Sequence, residues 1–176
     1  PVGNEPMLDI VDMRRERVLM EGAFPDDLQS AFRGMERTGN PWGLGHDARM
    51  AWAEPLADAG LEVPTVETDP DFEVLFWVGC AGAYDATAQE TTRAMARILD
   101  HAGVRYAVLG KGERCTGDPA RRAGNEYLYY QLASENVATL DAALAQDLLD
   151  EAAPKRVVTA CAHCYNALLN DYPQLG

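Results

Sequence analysis

Residues 72–80 read FEVLFWVGC. From Val74 to Val78 every position is apolar, and the run stops abruptly at Gly79-Cys80. A strand with one face in water alternates apolar and polar residues, so an unbroken apolar run needs cover on both faces, as in a parallel sheet between helices. Two further stretches have the same character, RYAVLG at 105–110 and RVVTA at 156–160. Between them the period becomes helical. Thr87–Ala102 places Met95, Ile98, Leu99 and Ala102 inward, with Gly103 as its stop. Asp118-Pro119 opens another helix, Asp as N-cap and Pro as first helical residue, through Tyr127, Leu128 and Leu132. A further helix covers about 136–152, and Pro154 ends it. Strand, helix, strand, helix pair, strand is the order of an α/β fold. It predicts a parallel sheet flanked by helices with right-handed crossovers.

Upstream of this unit the chain reads as helices. Leu8, Val11, Val18 and Leu19 lie near one face of a Met7–Glu21 helix. Pro25 with Asp26 and Asp27 opens a second, in which Leu28, Phe32 and Met35 recur at helical spacing before Gly39. NPWGLG (40–45) is a turn, and a third helical segment carries Met50, Trp52 and Leu56. PTVETDPD (64–71) reads as a linker. Trp42, Trp52 and Trp77 are expected in the core, and neither a repeat nor a low-complexity tract is present.

A chain of 176 residues buries one sizeable core, with 47% apolar and 24% charged residues as in ordinary globular proteins. The net charge of -13 argues against a nucleic-acid surface and for a solvated acidic exterior. No apolar run reaches the length of a membrane span, and no signal peptide is evident. Four cysteines are too few for a secreted disulfide scaffold, so a reducing cytosol is expected. The first residue is Pro1 rather than Met, which suggests a piece of a longer protein.

The four cysteines carry the chemistry. Cys80 lies two residues past the first strand, Cys115 a short loop past the second, Cys161 directly after the third, and Cys164 one turn later. In a parallel sheet all carboxyl ends share one edge, where open α/β sheets place their ligands. A lone cysteine is usually packing, but four after three strands is a pattern. Three chemistries fit: thiolates around a [4Fe–4S] cluster, structural zinc, or a dithiol redox pair at Cys161-Ala162-His163-Cys164. Zinc ribbons usually offer two C-x-x-C knuckles, whereas a thioredoxin-type fold needs more sheet after its pair. Lys111, Arg114, Arg121 and Arg122 surround Cys115 in sequence, either to stabilise a negative centre or to face solvent.

Three blocks then become recognisable: FWVGCAGAYD (76–85), CTGDPARRAGNEYLYYQLASENVATL (115–140) and VVTACAHCYNALLNDYPQLG (157–176). Together they resemble the cysteine-rich (Cys-Cys-Gly) domain of heterodisulfide-reductase-like iron–sulfur oxidoreductases. The likeness is nearest to membrane-associated members that take electrons from electron-transfer flavoprotein. The resemblance implies that Cys80, Cys115, Cys161 and Cys164 are the metal and cofactor ligands. The second cysteine of the family's doublet is Thr116 here, followed by Gly117. Five thiolates hold an unusual non-cubane cluster in the full pattern, so four imply a conventional [4Fe–4S] cluster. PVGNEPMLDIVDMRRERVLMEGAFP (1–25) is similar to the stretch that succeeds a ferredoxin-type module in these proteins. The implied organisation is a helical connector over 1–68 and a first cysteine-rich domain over 69–176, with a second copy beyond. The implied role is an electron-transfer component of an oxidoreductase. Its redox partners would be electron-transfer flavoprotein, a ferredoxin-type module, and a quinone or heme membrane subunit. The full-length protein would then sit at the cytoplasmic face of the membrane. His163 is read as a relay or an exposed residue, and Gly79, Gly82 and Gly117 as giving backbone N–H groups access to the sulfurs.

Overall fold

The computed structural model describes residues 6–145 and 154–175. At its centre is a three-stranded parallel sheet in the order β2-β1-β3. β1 is Val74–Trp77, β2 is Tyr106–Ala107 and β3 is Arg156–Thr159. Val74 pairs with Tyr106 on one side and Arg156 on the other. As the middle strand, β1 must be covered on both faces, and all four of its residues are buried. Val74, Phe76 and Val78 pack on one side with Trp52, Leu56, Ala96 and Leu99. Phe72, Leu75 and Trp77 pack on the other with Ala107, Leu109 and Cys164. The buried indole N–H of Trp77 has no hydrogen-bond partner.

The helices follow the predicted order, with informative differences. α1 (Pro6–Arg15) continues through a wider turn to Met20, and α2 (Asp26–Thr38) ends at Gly39. A 3-10 turn over His46–Ala53 leads into α3 (Glu54–Ala57), and it drives Trp52 and Leu56 into the sheet. The segment read as a linker is part of the sheet edge. Val66 N–H donates to Val108 O at 3.0 Å and Val108 N–H to Pro64 O at 2.9 Å. Trp42 is 46% exposed, not core, because the turn that carries it lies at the surface.

Beyond β1 a short helix, α4 (Gly79–Tyr84), precedes α5 (Ala86–His101), whose N-terminus is capped by the Asp85 side chain. On α5 the inward stripe is Thr92, Ala96 and Leu99, while Ile98 is 62% exposed and Ala102 is also exposed. The predicted helix from Asp118 breaks early, into α6 (Asp118–Ala123) and α7 (Glu126–Leu144). Gly124 makes the break at φ +94, and a methyl group there would run into the backbone of Arg14. Close packing of α1 thus sets the break, and Asn125 caps the new helix through its side chain. Asp118 is not the N-cap, which is Gly117. The part of the predicted 136–152 helix beyond Ala145 lies outside the described residues. β3 is an edge strand with Val157 40% exposed, so its apolar run is not covered on both faces. After β3 the chain forms α8 (Ala162–Asn166), a wide turn to Asp171 and a 3-10 turn over Tyr172–Leu175. Among the described residues no helix is long and apolar enough to cross a membrane.

Candidate metal centre

All four predicted cysteines are free and gather at the carboxyl edge of the sheet. Cys80 lies in the first turn of α4, and its Sγ stands 3.7 Å from that of Cys115. Cys161 caps α8, its Sγ accepting from the Cys164 N–H at 3.5 Å. Cys164 is buried behind it, against Leu75 and Trp77. Gly79 joins the two groups: at φ +77, a methyl group there would lie 3.0 Å from Cys164 Sγ and 3.8 Å from Cys161 Cβ. Gly79→Ala therefore meets both a left-handed backbone and a sulfur. We expect a loss of about 2 kcal/mol, or about 4–8 °C in Tm for a chain of this size. Thermal denaturation checks this, and an unchanged Tm would remove the claim that the sulfurs crowd Gly79.

Each cysteine loop is pinned from elsewhere in the chain. Cys115 N–H donates to Gly39 O at 2.7 Å, and Asn136 Nδ2 donates to Cys115 O at 2.9 Å. The Tyr172 hydroxyl accepts from Asn136 and donates to Thr116 O, both at 3.0 Å. Buried polar groups need such partners, and here they fix the loop against α7 and the terminal turn. Reading the sequence alone gives Asn136 no such role. Leu128, Leu132 and Leu140 define an apolar stripe at i, i+4 spacing, and a polar residue at 136 on that stripe is the available signal.

On the strand side the anchor is Glu113, buried with Arg49. Its Oε1 accepts from Gly79 N–H at 2.7 Å, its Oε2 from Val78 N–H at 3.0 Å, and Arg49 Nη2 donates to Oε1 at 2.5 Å. The Gly79 N–H is thus committed to Glu113 rather than to a sulfur. At Gly82 the space is taken by Thr92 of α5. The backbone N–H of Gly117 favours the thiolate of Cys115.

Electrostatics divide the thiols into two proton-sharing pairs. The hydrogen bond from Cys80 and that from the Gly117 N–H favour the thiolate of Cys115, while Cys80, as donor and buried, is pushed up. In the second pair a hydrogen bond from the Cys164 thiol, aided by the N–H groups of Cys164 and His163, lowers Cys161 to about 5. Cys164 rises through the same bond and its burial. The cations near Cys115 in sequence are engaged by carboxylates: Lys111 by Asp47, Arg114 by Glu135, Arg121 by Asp171, and Arg122 by Asp118 and Asp171. The cation that favours the thiolates of Cys80 and Cys115 is Arg49. The His163 side chain is 79% exposed, and its Nδ1 lies 3.0 Å from Asp118 Oδ2.

A model of the family described as "Cysteine-rich domain" (CCG) matches residues 74–169, from β1 through all four cysteines to the end of α8 and beyond. The chain belongs to that cysteine-rich domain family. The cysteine-rich chain is 41% identical, over its whole length, to "Probable iron-sulfur-binding oxidoreductase FadF" of Bacillus subtilis, of which it covers 24%. It is 38% identical, again over its whole length, to "EtfAB:quinone oxidoreductase" of Syntrophomonas wolfei, covering 23%. Against a subunit of the dihydromethanophenazine:CoB–CoM heterodisulfide reductase of Methanosarcina barkeri it is 27% identical over 96% of its length, covering 37% of that protein. The chain spans about a quarter of the length of the first two relatives. No solved structure matches it.

Proposed function

We propose that this chain is the iron–sulfur electron-transfer domain of an oxidoreductase, with Cys80, Cys115, Cys161 and Cys164 as ligands of one [4Fe–4S] cluster. The observation that carries the reading is the convergence of four thiols from the ends of three parallel strands. The donor set fits: thiolate is the ligand these clusters use, and two of the four sulfurs are already biased toward the thiolate. Among the described residues no three Cys, His, Asp or Glu side chains are grouped to share one metal ion. Tetrahedral zinc at about 2.3 Å would set its sulfurs about 3.8 Å apart, close to the 3.7 Å between Cys80 and Cys115, so zinc is the competing occupant that metal analysis must separate.

When bound, such a centre accepts and releases one electron at a time. The chain's own residues do the rest: Asn136, Tyr172 and Glu113 hold the ligand loops, and the apolar packing of Leu75 and Trp77 behind Cys164 excludes water. The relatives' names support an oxidoreductase that exchanges electrons with an electron-transfer flavoprotein, a ferredoxin-type module or a quinone. The name "Probable membrane-anchored ferredoxin", carried by a relative from Chromohalobacter salexigens, supports association of the longer protein with a membrane. Within that protein we assign 1–68 to a connector and 69–176 to a first cysteine-rich domain. With Thr116 in place of the doublet's second cysteine, the ligand count favours a cubane over the five-thiolate centre.

Anaerobic purification with iron and zinc analysis tests the reading. A brown protein with about four irons supports it, whereas stoichiometric zinc in a colourless protein overturns it. The lowered Cys161 favours a second reading, a dithiol–disulfide pair with Cys164. That reading predicts a metal-free protein that reduces a small disulfide.

A further inference from the structure

The Arg49–Glu113 pair is placed oddly for a structural ion pair. Both side chains are almost completely buried, at 2% and 1% exposure, and they come from elements far apart in the chain. Removing two charges from water costs several kcal/mol per ion, and an apolar pair would fill the same space without that cost. Their position is suggestive. Glu113 lies two residues before Cys115 and holds the N–H groups of Val78 and Gly79, directly ahead of Cys80. The Arg49 guanidinium lies 5.6 Å above the ring of Tyr84, on the same short helix as Cys80. One buried positive and one buried negative charge therefore flank the loops of two proposed ligands, in surroundings where screening is weak.

We infer that Arg49 and Glu113 are an opposed pair of buried charges that sets the reduction potential of the centre held by the four cysteines, Arg49 raising it and Glu113 lowering it. The inference rests on the proposed function. Reduction adds one electron to an already anionic thiolate-bound centre, so a fixed cation favours it and a fixed anion opposes it.

The test is a redox titration, followed by electron paramagnetic resonance, of the whole chain after anaerobic reconstitution with ferrous iron and sulfide. Arg49→Gln should lower the midpoint and Glu113→Gln should raise it. Each shift should change the reduced-to-oxidised ratio at a given potential about tenfold, or about 59 mV for one electron. Arg49→Lys, which keeps the charge, should stay near wild type, and the double variant R49Q/E113Q should return toward it. If one single variant loses its iron, comparing the other with the double variant still isolates one charge. Shifts of the same sign in both single variants, or no shift in either, overturn the inference. So does iron retained by the wild type and the double variant but by neither single variant, since that marks the pair as a folding element. A wild type that takes up no iron overturns the proposed function itself, and the inference with it.

Discussion

Anaerobically purified Cys164→Ser protein should carry no more than about a tenth of the wild-type iron and lose its brown colour. Serine is nearly the same size, so the packing against Leu75 and Trp77 survives. What changes is the donor, from a soft thiolate to a hydroxyl that rarely ionises, and iron–sulfur centres select the former. Cys164 is the informative position because it is buried and Gly79 gives it room, so no solvent-borne ligand can replace it. Iron and sulfide analysis with the absorbance spectrum checks the loss, and circular dichroism checks that the sheet is intact. A folded serine variant with a full complement of iron removes Cys164 from the ligand set.

Glu113→Ala should be the most destabilising single change outside the cysteines, by about 3–5 kcal/mol, because it leaves Arg49 charged, buried and without its partner. It also strips the N–H groups of Val78 and Gly79 of their acceptor. For a chain of this length that loss corresponds to about 6–20 °C in Tm. Urea denaturation of cluster-free protein measures it. Replacing Arg49 and Glu113 together by apolar side chains should cost less than Glu113→Ala alone, and a double-mutant cycle reports the coupling. A drop in Tm below about 2 °C in Glu113→Ala would show that water reaches Arg49 and that the pair holds nothing.

The central strand was legible because burial on both faces leaves an unmistakable run, Val74 to Val78. The gathering of the cysteines followed from parallel topology alone, since strand ends share an edge. Their role as ligands came from the family resemblance and stays a proposal. Features made by remote contacts were illegible. The break at Gly124 comes from the backbone of α1 pressing on it, more than a hundred residues away in sequence. Nothing in the sequence singles out Arg49 or Glu113, and only the fold sets them together in the interior. β3 misled because an apolar run reports composition, whereas exposure of Val157 depends on which strand ends the sheet.

The strand order also imposes a timetable. β3 is the last strand in sequence, yet it pairs with the first, Val74 against Arg156, and such distant pairings form late in folding. Two of the four sulfurs travel on the far side of that pairing. As the ribosome delivers the chain from its N-terminus, Cys80 and Cys115 emerge early and wait for partners not yet synthesised. Under the proposed ligand set, the centre cannot be completed until translation has passed Cys164.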